Sequence, residues 1–208
     1  MRRLIFIIGL ILFMIPSVSA QENIAAPIWK TGEKWTFRYD SGGEWTVKII
    51  GEENGLFVDS TTRSKGKMRG VYTRYYDKNS LNCVKVIKDG KENNRERDYL
   101  KKYFDFPLYI GKNWSYRYTV LSSSSQKFIN ILSEFSAVQF DDIEVPAGKF
   151  KAIKIKNKTS IVGTNVRGIF YYWWSPDVKA PLKVEYEPSN FWKNQDYKKF
   201  ELISFELK

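Results

Sequence analysis

Three carboxylates close together in the chain are the side chains best suited to catalysis or metal binding. Asp141, Asp142 and Glu144 lie among apolar neighbours. Paired carboxylates carry out glycoside hydrolysis, and clustered carboxylates bind calcium. The cluster comes just before Pro146, however, and a hairpin tip beside a proline is a usual place for solvated acids. The spacing therefore favours an exposed turn over a catalytic or metal site.

Histidine and cysteine, the residues most used in enzyme and metal sites, are almost absent. The chain has no histidine and a single cysteine, Cys83. These counts exclude a Ser-His-Asp or Cys-His nucleophile, a zinc site built from His and Cys, and a disulfide framework. A lone cysteine among apolar strand residues predicts a buried, inert thiol. We therefore expect a protein that is not an enzyme and has no metal or other cofactor.

Aromatic side chains, 16% of the residues, are the other candidates for a site. The run from Ile169 to Trp174 has no polar side chain apart from tyrosine hydroxyls. Neighbouring residues of a strand point to opposite faces, so both faces of this strand must be aromatic. Either protein covers both faces, or one face lines a cavity for an acyl chain or another apolar ligand. The predicted lining of such a cavity is Trp35, Tyr75, Trp114, Tyr116, Trp173 and Trp174.

Sugar binding is an alternative use of the same rings, because Trp and Tyr offer flat faces with a polar group at one edge. A carbohydrate platform must be exposed, whereas these residues take the inward positions of their predicted strands.

The basic charge indicates a third kind of contact. The net charge of +11 is spread over many strands, which favours nonspecific attraction to anionic lipid heads or acidic polysaccharide. We expect no nucleic-acid partner.

The elements that position these residues follow from the alternation of apolar and polar residues. Apolar residues recur at every second position in segments 35–39, 45–49, 114–120 and 182–186. Side chains alternate between faces along a β-strand, so each segment buries one face. Asp40–Gly43 and Asn54–Gly55 separate such segments and are typical of hairpin turns. The predicted fold class is all-β, a curved antiparallel sheet or open half-barrel, with at most one or two short helices.

One segment has helical spacing. Asn94–Phe104 places Tyr99, Leu100 and Tyr103 on one side of a helix behind a possible Asn cap, and it stops before Pro107. The same residues also suit a strand followed by an extended Phe-Pro-Leu crossover. The sequence leaves both structures open.

Two motifs occur twice and in the same order. Gly32–Tyr39 and Gly111–Tyr118 share Gly-x-x-Trp-(Thr/Ser)-(Phe/Tyr)-Arg-Tyr, and Gly70–Tyr76 is similar to Gly168–Trp174. Two aromatic strands can converge on such patterns, but the matching order favours one supersecondary unit used twice. No flexible linker separates the halves. We predict a single β domain over residues 21–208, with pseudo-repeats at about 32–88 and 111–187.

Residues 1–20 have the order of a secretory signal peptide. A basic start is followed by the apolar run 4–15 and by small residues up to Ala20, after which we predict cleavage. The run has about twelve residues, short of the roughly twenty that cross a bilayer. No cysteine follows the cleavage site, which argues against a lipid anchor. We expect an exported, soluble protein, periplasmic or extracellular, with no stable membrane span after cleavage and with an oligomeric state that the sequence does not indicate.

Four short motifs within residues 105–208 carry a family resemblance. They are Gly111-Lys112-x-Trp114, Val145-Pro146-Ala147-Gly148-x-Phe150, the aromatic strand that ends in Ser175-Pro176-x-Val178, and Leu182-Lys183-x-x-Tyr186. This pattern resembles a family of bacterial exported proteins known only as a domain of unknown function. That family is distantly similar to the half-barrel sheets of periplasmic lipoprotein carriers. The resemblance implies an open, curved sheet and, as a likeness of fold, implies no function by itself.

Pro146, Ala147 and Gly148 are predicted to form a structural turn. Proline fixes its own φ, and glycine permits a left-handed backbone, so together they suit a tight reversal between two strands. This chain departs from the family pattern at Ala180-Pro181, where a glycine would be commoner. The turn before that strand is expected to differ accordingly.

Two functions from different classes remain. The first is a non-catalytic binding protein of the cell envelope, whose aromatic concave face takes an apolar or lipid-like ligand or contacts an envelope protein. The second is a carbohydrate-binding or polysaccharide-associated factor. A lipid-sized aromatic cavity would favour the first. Exposed coplanar tryptophans, or a carboxylate pair in a groove, would favour the second.

Overall fold

The computed structural model describes residues 22–64, 70–92, 102–121, 128–187, 189 and 199–208. The predicted signal peptide and most of the Asn94–Phe104 segment lie outside these residues. The end of that segment, residues 102–104, is not helical. In the described part of the chain, no helix has the length and apolar character needed to span a membrane.

The described chain is built on twelve strands in one antiparallel sheet, which confirms the predicted all-β class. The strands are β1 (Lys34–Tyr39), β2 (Glu44–Glu53), β3 (Leu56–Arg63), β4 (Gly70–Asp77), β5 (Cys83–Lys88), β6 (Lys91–Glu92), β7 (Asn113–Leu121), β8 (Phe128–Val145), β9 (Gly148–Ile161), β10 (Arg167–Ser175), β11 (Ala180–Tyr186) and β12 (Phe200–Glu206). Short turns join most of them. At Asn54–Gly55, both residues have positive φ, 50° and 78°, as a two-residue type I′ hairpin turn requires.

The strand order is β6-β5-β4-β3-β2-β1-β12-β11-β10-β9-β8-β7. The chain therefore runs outward through β1–β6, starts again at the opposite edge, and returns through β7–β12 until β12 pairs with β1. Among the described residues, β6 and β7 do not pair with each other, so the sheet is open. The repeated motifs lie in β1 and β7 and in β4 and β10, which hold the same places in the two six-strand halves. This order agrees with a duplication, which stays a prediction until the halves are superposed.

The sheet curls so that its two halves face each other. β3 and β8 are far apart in the strand order, about 34 Å if the sheet were flat, given the usual spacing between strands. Yet Phe57 of β3 and Phe135 of β8 belong to one buried cluster, together with Ile24, Leu108 and Trp174. Curling brings the aromatic faces of the two halves toward a shared interior.

Strand pairing is short at one place inside the second half. β11 and β12 pair over only two residue pairs, at Lys183 and Val184. The turn between β8 and β9 is formed by the predicted residues Pro146 and Ala147 ahead of Gly148. The Ala147 N–H donates a hydrogen bond to the Leu202 carbonyl of β12 at 3.3 Å. The reversal therefore also helps to fasten β12 to the rest of the second half.

Candidate functional site

The register of the strands defines an inner face on the curled sheet. In β10, Tyr172 lies opposite Ile155, whereas its neighbour Trp173 lies opposite Lys154. Phe170, Tyr172 and Trp174 therefore share the inner face, and Tyr171 and Trp173 share the outer face with lysines. Both faces of this strand carry aromatic rings, as predicted, and the two faces have different neighbours.

Two stretches outside the strands fill one end of the inner face, and we call residues 22–30 and 102–110 together the plug. In residues 22–30, Trp29 packs against three inner-face rings. Its ring centroid lies 5.9 Å from that of Trp35, 5.6 Å from Phe57 and 5.4 Å from Tyr76. The first part of the plug therefore covers the aromatic wall of the first half.

Residues 102–110 cover the corresponding wall of the second half. The rings of Phe104 and Phe106 lie 4.6 and 5.4 Å from Trp174. Tyr103 lies 5.7 Å from Tyr172. Trp174 is consequently only 2% exposed. The chain's own aromatic residues thus occupy the place that the sequence suggested for an apolar ligand.

The two parts of the plug bind each other through their backbones. Ile24 and Leu108 each donate a backbone N–H to the other's carbonyl, both at 2.8 Å. Further backbone bonds turn the chain at the ends of the plug, to Glu33 and Lys112. Aromatic side chains of both parts pack on the inner face.

A buried ion pair anchors the plug at the turn between β10 and β11. Glu33 is fully buried, and Lys179 Nζ lies 2.6 Å from Glu33 Oε1. Lys179 also donates to the Ile28 carbonyl at 3.1 Å, and Trp29 Nε1 donates to the Lys179 carbonyl at 3.1 Å. Lys179 has a φ of 58°, in the region that favours glycine. The ion pair of its ammonium group with Glu33 accounts for a lysine in this turn. The turn comes directly before Ala180-Pro181, where the chain departs from the family pattern.

Charge lies on the inner face of the first half, deeper along the strands than the plug. Asp59 is fully buried; it accepts hydrogen bonds from Arg74 Nη2 and from the Tyr76 hydroxyl, each at 2.9 Å. The Thr61 hydroxyl donates to Asp59 at 3.3 Å and contacts Arg74. Burial raises the pKa of the Asp59 carboxyl, and the Arg74 guanidinium counteracts that rise. Asp59 and Arg74 thus form a buried ion pair.

The second half has a neutral counterpart at the same place. In β9, the Thr159 hydroxyl donates to Asn157 Oδ1 at 3.2 Å and is 3.1 Å from the Ser133 hydroxyl. Asp59 and Thr61 stand in β3, the third strand of the first half, as Asn157 and Thr159 stand in β9. Their separation along the chain equals that between Gly70 and Gly168. The sequence analysis missed this third match.

The six residues predicted to line a ligand cavity do not form one site. Trp35, Trp114, Tyr116 and Trp174 lie on the inner face, where Trp114 and Tyr116 stack on Phe135 at 5.2 and 5.8 Å. Trp35 belongs to another core cluster, which it shares with Trp173, and its Nε1 donates to the Val178 carbonyl at 2.7 Å. The inner face thus brings together Trp114, Tyr116 and Trp174, all from the second half.

The other two predicted lining residues point away from the inner face, although Trp173 is only 4% exposed and shares a core cluster with Trp35. Trp173 donates to Asp141 Oδ2 at 2.8 Å, and the ammonium groups of Lys154 and Lys183 lie 5.1 and 4.4 Å from its ring. Tyr75 lies opposite Val58, and its hydroxyl donates to Glu53 at 3.2 Å. Lysines occupy the space over the Trp173 ring, so a flat sugar-stacking surface does not form there.

The predicted carboxylate cluster is divided by the alternation of β8. Asp141 accepts hydrogen bonds from Trp173 and Gln139, at 2.8 and 2.6 Å. Although partial burial acts in the opposite direction, these bonds hold the pKa of Asp141 below its ordinary value. Glu144 pairs with Lys149 at 3.4 Å. No group of three or more acidic or cysteine side chains able to hold a metal ion occurs within the described residues.

Cys83 is buried beside the charged group of the first half. It packs with Tyr72, Val86 and Tyr76, and its thiol donates to the Lys85 carbonyl at 3.4 Å. Burial raises the pKa of the Cys83 thiol to about 11. A thiol with that pKa is protonated at neutral pH and is a poor nucleophile.

Two small pockets lie at opposite ends of the described sheet. One, of about 270 Å³, lies between β7, β8 and the β9–β10 turn and is lined by Arg117, Tyr118, Thr119, Asn130 and Val162. The other, of about 310 Å³, separates residues 22–27 of the plug from Trp174, Pro176 and Lys179. Ligand pockets usually hold roughly 300–1,000 Å³. The second pocket is therefore at the lower limit, and the plug forms one of its walls.

No family model matches the chain, and no curated protein matches it. Three solved structures have a similar architecture. A predicted exported protein with a YmcC-like fold from Bacteroides fragilis is 14% identical, with 88% of this chain and 99% of that chain covered and a TM-score of 0.44. A predicted lipoprotein from Parabacteroides distasonis is 14% identical, with 89% and 100% covered and a TM-score of 0.47. The hypothetical lipoprotein YmcC from Escherichia coli is 9% identical, with 87% and 90% covered and a TM-score of 0.46. These identities are too low to carry a function to this chain.

Proposed function

We propose that this protein is an exported, non-catalytic protein of the cell envelope that binds an apolar, lipid-like ligand on the inner face of its curled sheet. Export is proposed from the signal-peptide pattern of residues 1–20. The binding function is proposed from the inner face itself, where aromatic and aliphatic side chains of both halves surround segments that are not part of the sheet.

The observation that carries the proposal is the way the plug is held. Trp29, Phe104 and Phe106 contact the sheet with their rings, and the only two-way backbone pairing within the described plug is between Ile24 and Leu108. A surface that holds a chain segment through apolar packing suits a hydrocarbon, which has no hydrogen bonds to satisfy. A peptide or sugar would bring polar groups that need partners there.

Two further observations favour this function over carbohydrate binding. All described tryptophans are buried or half-buried, so none offers an exposed stacking surface. The polar groups on the inner face, around Asp59 and around Asn157, bind one another. A non-catalytic role is proposed because the buried carboxylate Asp59 is bound by Arg74 and the thiol of Cys83 is protonated.

Fluorescence quenching tests the proposal. Dibromostearic acid quenches tryptophan fluorescence when its bromine atoms contact an indole, and several tryptophans lie on the inner face. We expect saturable quenching that unbrominated stearic acid reverses by competition. A maltooligosaccharide should leave the fluorescence unchanged. Saturable binding of the sugar, with none of the fatty acid, would favour the carbohydrate-binding function instead.

A matched pair of variants in β7 locates the site. Tyr116 lies on the inner face and its neighbour Ser115 on the outer face, since they pair with Ser133 and Glu134 respectively. We expect Tyr116→Lys to weaken dibromostearate binding about tenfold or more, because an aromatic contact is replaced by a charge. Ser115→Lys adds the same charge outside and should leave the affinity unchanged. Equal effects of the two variants would place binding elsewhere.

A further inference from the structure

The plug has the features of a gate. In its N-terminal part, Ile24 belongs to the buried cluster that also holds Phe57 and Trp174. The two parts of the plug come from distant positions in the chain and meet at one pair of residues, Ile24 and Leu108. Separating that pair frees Ile24 from the second part of the plug without breaking any strand pairing.

The second pocket marks the side from which the interior can be reached. Its walls are Ile24, Ala25 and Pro27 on the plug side and Trp174 and Pro176 on the sheet side. The pocket therefore lies between the N-terminal part of the plug and the sheet. An apolar chain entering there would push residues 22–27 away from Trp174 and leave residues 102–110 in place.

The two parts of the plug are held in different ways. Ile28 and Trp29 are bonded to Lys179, whereas the stretch ahead of them has the exposed pair of Glu22 and Lys151 at 2.9 Å and the backbone pair of Ile24 and Leu108. Residues 102–110 are held from within by Lys112, which donates to the Pro107 carbonyl at 3.0 Å and pairs with Asp105 at 3.0 Å. The stretch ahead of Ile28 can therefore separate from the sheet when one exposed ion pair and the Ile24–Leu108 pair are broken.

We infer that residues 22–27 act as a displaceable gate, so that an acyl chain enters between them and Trp174 and the Ile24–Leu108 pair must separate for the ligand to bind. This inference rests on the proposed function. The ligand exchanges one apolar surface for another, since the rings that lose contact with Ile24 and its neighbours gain contact with hydrocarbon. The gate therefore closes the pocket beside Trp174 until a ligand replaces it.

An engineered disulfide tests the gate. Ile24 and Leu108 form a hydrogen-bonded antiparallel pair, for which the Cα atoms lie about 5.5 Å apart. That separation falls in the range of roughly 4.4–6.8 Å that a disulfide requires. The variant is Ile24→Cys/Leu108→Cys in a Cys83→Ala background, compared oxidised and reduced by dibromostearate quenching. Cys83→Ala alone is the control.

We expect the oxidised form to bind dibromostearate at least tenfold more weakly than the reduced form, and reduction to restore the affinity. Equal affinity in both forms, with the control also binding, would overturn the gate and leave the proposed function standing. Absence of binding by the control would overturn both.

Hydrogen exchange gives a second readout that does not depend on a variant. With saturating stearic acid, the amides of residues 22–26 should exchange faster than in the free protein, because their packing and the Ile24 bond are lost. The amides of β9 and β10 should exchange more slowly or at the same rate. Slower exchange in residues 22–26 would show that the ligand tightens the plug, which contradicts the gate.

Discussion

The two halves of the sheet bury polar side chains at the same place but satisfy them in different ways. The third strand of each half turns two polar side chains inward, Asp59 and Thr61 in β3 and Asn157 and Thr159 in β9. In both strands the threonine hydroxyl donates to the neighbouring side chain, at 3.3 and 3.2 Å. Only the first half places a charge there, and only the first half supplies a cation, Arg74, to bind it.

The difference shows how one inward position tolerates two kinds of buried polar group. A buried carboxylate needs a partner charge because its own desolvation is costly, so the first half depends on Arg74 and Tyr76 together. A buried amide needs hydrogen bonds only, and in the second half the Thr159 hydroxyl, itself paired with that of Ser133, donates to Asn157. The charged solution should therefore be far more sensitive to the loss of a single partner than the neutral one.

Removing the cation should have the largest effect. Arg74→Met leaves the Asp59 carboxylate buried without its charge partner, and we expect the free energy of unfolding to fall by about 3–5 kcal/mol. Urea denaturation followed by tryptophan fluorescence measures this loss. Lys85→Met removes an exposed lysine from the adjacent β5 and should change stability by less than about 0.5 kcal/mol. A loss below about 1 kcal/mol for Arg74→Met would mean that the pair behaves like an exposed one.

Making the polar group of the first half neutral, as it is in the second half, should restore part of the lost free energy of unfolding. In Asp59→Asn/Arg74→Met, the amide keeps the Thr61 hydroxyl as a partner, as Asn157 keeps that of Thr159, and no charge is left unpaired. We expect this double variant to be about 2 kcal/mol more stable than Arg74→Met alone. A double variant as unstable as the single one would show that side-chain packing, and not the orphaned charge, accounts for the loss.

Thiol labelling measures how well the charged half excludes solvent. At pH 8 a thiol with a pKa of about 11 is ionised about 200-fold less than an exposed thiol with an ordinary pKa near 8.5. We expect Cys83 to react with a thiol reagent at least about 100-fold more slowly than Val84→Cys in a Cys83→Ala background, whose side chain is on the exposed face of β5. Similar rates would indicate that the first half opens locally.

The smallest loss of stability is expected from a substitution in the neutral group of the second half. Ser133→Ala removes one partner of Thr159, which still donates to Asn157, and we expect a loss of about 1 kcal/mol in the free energy of unfolding. Ser136→Ala removes an exposed hydroxyl bonded to Asn113 on the opposite face of β8 and should cost less than about 0.5 kcal/mol. A loss for Ser133→Ala as large as that for Arg74→Met would contradict the contrast between the halves.

The site was less predictable than the fold, for an identifiable reason. Alternation assigns each residue to a face but does not say what covers that face. Trp173 and Trp174 look equivalent in sequence, yet Trp173 packs in the cluster of Trp35 with two lysines over its ring, and the plug covers Trp174. Trp29 lies outside any alternating segment, so the pattern assigns it to no face. The recurrence of Asp59-x-Thr61 as Asn157-x-Thr159, at the spacing of Gly70 and Gly168, was a readable signal for the polar groups.

The local chemistry of the sequence determined the strands, their inward faces and the turns, because alternation and the φ preferences of residues such as Asn54 and Gly55 act over a few neighbours. Only the tertiary structure decided what lies against the inner face. Curling brings Phe57 and Phe135 to one interior, and two segments distant in the chain meet there through Ile24 and Leu108. Such contacts depend on the summed twist and order of twelve strands, which no local pattern encodes.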